Sequence, residues 1–366
     1  MPPSDSTIHR YLLLVHRWIA LVATILILVV AITGSALVFE GAIDRGLHPE
    51  LWRVTPTGSP VSFDTLVANA RASMPKAQVS GLTLSPVPDR AHVASAGATQ
   101  IFLNPYTGAV IGTRTIAEWN ASLPRRLHVL HVSLMSGKVG GEIVGIVTAL
   151  AFVLVLTGLV IWWRDKLWRI RWSASWKRIV FDLHHSLGAF AAIILLIISL
   201  SGMFIHYPTL SALMSSLNSA PAAPALEQPK ADGGAHGISV DSLSRTALAT
   251  LPGARIMFFS FPAKNTQPYT VAMRFPEDHT PGGRSRVVVD RYRGTILLAT
   301  STRQAELGNR IGNAIRSVHT GDLFGKPTEA IWLAAAIILA TQGITGVTMW
   351  WNGRAARAAL QRRSVV

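Results

Sequence analysis

Residues 16–39 read HRWIALVATILILVVAITGSALVF, and residues 184–207 read HHSLGAFAAIILLIISLSGMFIHY. Within them, Trp18 to Phe39 and Ser186 to Tyr207 contain no Asp, Glu, Lys or Arg. A helix needs about 20 such residues to cross a hydrocarbon core. Ile143 to Trp163 and Ala330 to Trp351 have the same character, so the sequence predicts four membrane helices. Gly34-Ser35-Ala36 looks like a signal-peptide cleavage site, but the apolar run exceeds the roughly 7–15 residues of a signal, and the first span is read as permanent.

Composition agrees. The 366 residues carry 34 Lys+Arg against 19 Asp+Glu, a net +15, yet only 14% are charged and 49% are apolar. A soluble nucleic-acid binder spreads its cations over a polar face; here they flank lipid-length runs, so the bilayer and not nucleic acid is the expected partner. With no Cys, disulfides, thiolate metal sites, iron–sulfur clusters and thioether-linked haem are excluded, and the 12 His remain as possible ligands of a metal or haem. No His-Glu-x-x-His, Ser-His-Asp grouping or Walker-type glycine loop supports a hydrolase or a nucleotide-driven pump.

Charge also orients the chain. Segments 1–17, 164–183 and 352–366 hold 12 Lys/Arg in 52 residues, against 22 in the 225 residues of 40–142 and 208–329. The denser segments belong on the cytoplasmic side. Trp18, Trp162, Trp163, Trp168, Trp172, Trp176, Trp350 and Trp351 fall near that same interface. The expected order is a cytoplasmic N-terminus (1–17), a first span (18–39), an outer module (40–142), a second span (143–163), a cytoplasmic loop (164–185), a third span (186–207), a second outer module (208–329), a fourth span (330–351) and a cytoplasmic tail (352–366).

The two halves repeat each other. His16 precedes Gly34 of Thr33-Gly34 by 18 residues, and His184 precedes Gly202 of Ser201-Gly202 by 18. His131 lies six residues before Gly137-Lys138 and His319 six before Gly325-Lys326; each Lys precedes a Thr-Gly pair, at Gly158 and Gly346, by 20, and a Trp-Trp pair follows. In the outer segments Asp64 and Pro75 are 11 apart, as are Asp241 and Pro252, and the turns Tyr106-Thr107-Gly108 and Tyr292-Arg293-Gly294 correspond. Each module reads as a helix, starting at Asp64 in the first, followed by short antiparallel strands. Asn218 to Gly237, rich in Ala, Pro and Gly, reads as a linker.

The fold class is therefore an α-helical membrane protein of four spans in two pseudo-symmetric repeats, each with an α+β module between its helices. The span starts Val15-His16-Arg17-Trp18 and Asp182-Leu183-His184-His185-Ser186-Leu187-Gly188, the Thr-Gly pairs, the Trp-Trp exits and the Tyr-x-Gly turns resemble the PepSY-associated transmembrane family over nearly the whole chain. Within it the chain is most similar to the four-helix, iron-regulated inner-membrane proteins of the FoxB type. That resemblance implies periplasmic PepSY-like modules, haem b in the membrane and reduction of ferric siderophores on the periplasmic side of a bacterial inner membrane. Some relatives carry a flavin and nicotinamide reductase domain; the chain ends about 15 residues past its last span, so the expected donor is separate, a quinol or a cytoplasmic reductase.

An isolated His at a helix end is usually an interfacial anchor. Here the repeat places His16 opposite His184 and His131 opposite His319, and opposed imidazoles suit six-coordinate haem iron, so two haems are expected. His185, His128 and His206 remain alternatives, because His185 adjoins His184, His128 shares a helix face with His131 and His206 ends the third span. Asp182 is a candidate acceptor for the second nitrogen of His184. The Thr/Ser-Gly pairs read first as sites of close helix approach, or else as room for a porphyrin. No catalytic residue is assigned. The rival readings are a non-redox PepSY sensor or protease regulator, and a siderophore or haem permease; the spans hold no ionisable residue except histidine near their ends, which disfavours coupled transport.

Overall fold

The computed structural model describes residues 5–218 and 237–363, so the expected linker, apart from its two end residues, lies outside the described residues. In chain order the helices are α1 (Asp5–Leu37), α2 (Glu40–Leu47), α3 (Pro49–Trp52), α4 (Phe63–Ser73), α5 (Ile116–Ala121), α6 (Leu123–Ser133), α7 (Gly137–Asp165), α8 (Trp176–His206), α9 (Pro208–Ser215), α10 (Val240–Thr250), α11 (Leu307–Thr320) and α12 (Lys326–Arg363). The strands are β1 (Val79–Thr83), β2 (His92–Ala96), β3 (Thr99–Leu103), β4 (Val110–Thr115), β5 (Arg255–Ser260), β6 (Tyr269–Arg274), β7 (Ser285–Val289) and β8 (Ile296–Thr300). They divide into a helical unit and a unit built around a sheet.

In the helical unit, four stretches among the described residues are long and apolar enough to cross a membrane: Thr7–Leu37, Gly137–Asp165, Trp176–His206 and Lys326–Ala355. They overrun the charge-free runs because helix hydrogen bonding continues where Arg and Lys stems lie along the helix with their charges in the interface. Both α1 and α8 pack against α7 and against α12. Ala23, Ile27, Val147 and Ala151 fill one layer between them and Ala191, Leu195 and Ala335 another, with Leu339 against both. Small side chains at these contacts bring membrane helices close. Val22, Ile25, Val160, Phe190, Ile193 and Ile344 point outward, as an apolar solvent requires.

The return helices are not continuous. His131 and His319 sit on the separate helices α6 and α11 that precede α7 and α12. Leu134, Met135 and Gly137 take left-handed backbone at φ 48, 57 and 58, and Gly321 and Gly325 do so at φ 79 and 76. A left-handed residue with a Cβ costs about 1 kcal/mol, so the break at Leu134-Met135 is imposed by its surroundings. Gly140 explains part of it: a Cβ there would fall on the Ser133 carbonyl oxygen, so only glycine lets α7 start against the end of α6.

The second unit holds one eight-stranded antiparallel sheet in the order β4-β3-β2-β1-β5-β6-β7-β8. Two modules were expected; their strands instead join through β1 and β5, pairing Gly81 with Ser260 and Leu82 with Phe259. An unpaired edge leaves a row of exposed amide groups, and joining two edges removes both rows. Gly81 permits the join, since a Cβ there would meet the Phe258 ring at 2.6 Å. Helices α4 and α10 share a core with the sheet, in which Leu66, Leu82, Ile101, Leu103, Leu243, Phe259, Val271 and Met273 are fully buried.

The repeated aspartates couple those two helices. The Asp64 carboxylate accepts from the Val240 and Asp241 amides at 2.7 and 3.3 Å, and the Asp241 carboxylate accepts from the Phe63 and Asp64 amides at 2.9 and 3.4 Å. Each aspartate thus covers free amides at the start of the other's helix, where the helix dipole also favours negative charge.

Candidate functional site

The helical unit brings four of its histidines into two facing pairs. His16 on α1 and His184 on α8 have ring centres 6.4 Å apart at an interplanar angle of 87°, and His131 on α6 and His319 on α11 have theirs 6.3 Å apart at 48°. From His16 to Thr33 on α1, and from His184 to Ser201 on α8, the helices rise about 25 Å, at 1.5 Å per residue. His131 and His319 are seated at Thr33 and Ser201, so the pairs lie near opposite ends of the spans.

Each ring rests on one Thr/Ser-Gly pair of another helix. His16 Nδ1 lies 2.9 Å from Thr157 Oγ1 and His184 Nδ1 2.9 Å from Thr345 Oγ1. His131 Nδ1 lies 3.0 Å from the Val30 carbonyl and 3.2 Å from Thr33 Oγ1; His319 Nδ1 lies 3.0 Å from the Ile198 carbonyl and 3.3 Å from Ser201 Oγ. The hydroxyl protons are engaged elsewhere, since Thr33, Thr157, Ser201 and Thr345 donate to the carbonyls of Val29, Val153, Ile197 and Thr341 one turn back. Each hydroxyl oxygen can therefore accept, so at His16, His131 and His319 Nδ1 carries the proton and Nε2 keeps its lone pair; at His184 the Gln342 amide nitrogen, turned to donate to the His184 carbonyl, also lies 3.2 Å from Nδ1.

The glycines make room for the same rings. A Cβ on Gly34 would lie 2.9 Å from His131 Cε1, on Gly202 3.0 Å from His319 Cε1, on Gly158 3.2 Å from His16 Cε1 and on Gly346 3.4 Å from His184 Cε1. The small residues do allow close approach, but what approaches is an imidazole. The number of Thr/Ser-Gly pairs in the spans equals the number of paired histidines, and that equality was the available sequence signal. Which histidine sits on which pair depends on helix packing.

With Nδ1 and Cε1 held by the supporting helix, Nε2 is the free donor, and among the described residues it makes no hydrogen bond in any of the four rings. Two imidazoles bound trans to one metal at about 2 Å have ring centres about 6 Å apart, given ring bonds near 1.4 Å. Both observed spacings match. Among the described residues no group of three or more His, Asp or Glu gathers around a point, so each pair offers two side-chain ligands of these types.

Of the alternatives, His185 also has its ring centre 6.3 Å from that of His184, at 63°, but stacks on Phe181, ring centres 4.2 Å apart; His206 Nε2 lies 3.6 Å from a Glu142 carboxylate oxygen and the ring contacts Tyr207 edge-on. The ring that faces His319 is that of His131, one turn after His128. Asp182 does not serve His184: wholly buried, it accepts from the Arg171 amide and side chain at 3.0–3.2 Å and ion-pairs with Arg178 at 2.9 Å, clamping the 166–175 loop onto α8. Away from the pairs, His48 contacts Glu50, and His92 accepts from the Ser85 amide at Nδ1 while burial lowers it to about 4. His236 lies outside the described residues.

No curated protein matches the chain. Residues 13–352 match the PepSY-associated TM region family, from just before His16 to just past the Trp350-Trp351 exit. That match takes in both histidine pairs and all four Thr/Ser-Gly seats, and the chain is a membrane protein belonging to the PepSY-associated TM family.

Proposed function

We propose that this protein is a di-haem b oxidoreductase of the bacterial inner membrane that carries electrons outward and reduces ferric siderophores on the periplasmic side. The observation that carries the reading is the two facing imidazole pairs, each at bis-histidine spacing with Nε2 free. His16 and His184 would hold one haem, and His131 and His319 the other. Haem b at each pair supplies one-electron storage, its iron alternating between ferric and ferrous.

The chain's own residues do the rest. The hydroxyls and carbonyls at Nδ1 fix each ring's tautomer and aim. The aliphatic layers of Ala23, Ile27, Val147, Ala151, Leu195 and Ala335 between the pairs exclude water and offer no proton path. A quinol or a reduced cytoplasmic flavoprotein is the donor. Quinol oxidation releases two electrons and two protons, enough to take two ferric chelates to the ferrous state. Ferrous iron is less charged and softer than ferric, so hydroxamate or catecholate oxygens hold it weakly and release it.

Both halves would be repeats related by a pseudo-two-fold axis, with the termini cytoplasmic and the sheet periplasmic. The β1–β5 pairing supports placing both long segments on one side of the bilayer, since their strands can join only there; the cation bias supports that side being the periplasm. A reduced-minus-oxidised absorbance spectrum of the purified protein tests the proposal. Haem b bands are expected, and their absence ends the redox reading.

A further inference from the structure

The sheet unit carries positive charge that its own fold leaves unanswered. Arg255 on β5 and Arg274 on β6 stand directly opposite each other in the antiparallel ladder. Residues opposed in this way point to one face with Cβ atoms about 5 Å apart, and like charges there are destabilising. Among the described residues the Arg255 side chain makes no hydrogen bond or ion pair, and Arg274 donates only to a main-chain oxygen, from Nε at 3.2 Å and Nη2 at 3.0 Å to the Asp278 carbonyl. The acids that follow Arg274 in sequence are engaged: the Glu277 carboxylate accepts from Arg303, and the Asp278 carboxylate accepts from the Phe275 amide at 2.8 Å.

Both arginines line one cleft of about 160 Å³, whose other walls are Pro86, Met257, Phe275 and Pro276. Pro86 comes from the first half of the sheet, beside the β1–β5 join, where the Leu84 amide donates to the Met257 carbonyl at 2.8 Å. The Phe275 wall is braced by Arg303, whose guanidinium carbon lies 3.9 Å from the ring centre. The cleft therefore exists only because the two halves share one sheet.

We propose that this cleft binds a small organic carboxylate with an apolar body. Guanidinium forks match a carboxylate in bidentate geometry. The Asp278 carbonyl holds Arg274 in place beforehand, so less side-chain freedom is lost on binding. An aryl or alkyl body gains by burial against the four apolar walls, whereas the outer oxygens of a phosphate would face them without partners. A bound anion also relieves the repulsion between the two arginines. The site does not depend on the haem reading.

Fluorine NMR of 4-fluorobenzoate with the full chain in detergent tests this. Saturable binding at one site per chain is expected. The neutral 4-fluorobenzamide, which has the body without the charge, and inorganic phosphate, which has the charge without the body, are expected to compete roughly tenfold more weakly or worse. Arg255→Gln is expected to weaken 4-fluorobenzoate binding roughly tenfold, the loss of one charge-assisted contact. Its thermal midpoint without the ligand should not fall, since Arg255 has no partner to lose among the described residues. Arg286→Gln removes a cation from the neighbouring strand β7 outside the cleft and is expected to leave binding unchanged. No saturable binding, phosphate bound as tightly as 4-fluorobenzoate, full binding or a lowered midpoint in Arg255→Gln, or an equal loss in Arg286→Gln would overturn the proposal.

Discussion

At the scale of single residues, each of the four paired histidines is held through Nδ1 and, among the described residues, makes no hydrogen bond at Nε2. Replacing His16 or His184 by Ala is expected to remove the same haem, and replacing His131 or His319 the other, so each substitution lowers haem per chain by about half under bis-histidine ligation. Absorbance at the Soret band against protein concentration measures this. Asp182 gives the contrasting case. Its carboxylate is buried between Arg171 and Arg178 and touches neither histidine pair. Asp182→Ala is expected to destabilise the 166–175 loop and the start of α8 by about 2 kcal/mol, as loss of charge-assisted hydrogen bonds does. Haem content should stay unchanged at temperatures where the chain is folded. Haem loss from Asp182→Asn in the folded protein would return Asp182 to the role of a His184 partner.

At the scale of elements, the crossed caps of α4 and α10 make the sheet unit sensitive to acid. Desolvation pushes the Asp64 carboxyl up, but hydrogen bonds with the Asp241 side chain and from the Val240 and Asp241 amides outweigh it and hold Asp64 below its ordinary 3.8. A depressed folded value means that the stabilisation is complete above the ordinary value of 3.8 and is lost as pH falls from there through the folded value. Thermal melting of the full chain should therefore weaken from about pH 5 to about pH 3. Asp64→Asn should begin lower by about 1 kcal/mol, the usual worth of a cap, and fall less steeply. An unchanged slope in Asp64→Asn would show that the acid sensitivity arises elsewhere.

Elements also show where sequence reading reached and where it stopped. The spans were legible because lipid forces uninterrupted apolar runs, and the facing histidines were legible because the halves share one register. The break between α6 and α7 was not, because Leu134 and Met135 have no intrinsic preference for left-handed backbone and only Gly137 hints at it. The β1–β5 join was not legible either: Gly81 meets Ser260 across a sequence separation that no local pattern encodes. The seats fell between these cases. All eight Thr/Ser and Gly residues were visible, but their use as cradles for imidazoles appears only when α1 meets α6 and α7, and α8 meets α11 and α12.

For the whole molecule, the orientation carried by the cation bias can be checked directly, because the sequence contains no cysteine to confuse the result. A single Cys at exposed Thr57 or Lys264 is expected to react with a membrane-impermeant maleimide from the periplasmic side, and one at Arg354 only after the membrane is opened. The reverse pattern would invert the direction of electron flow. The central claim is that two bis-histidine centres occupy one chain, and it is tested most directly by the haem-to-protein ratio of the purified protein beside His131→Ala. The account predicts two haems per chain, falling to one. Two haems retained in His131→Ala, or none in the unsubstituted protein, would contradict it.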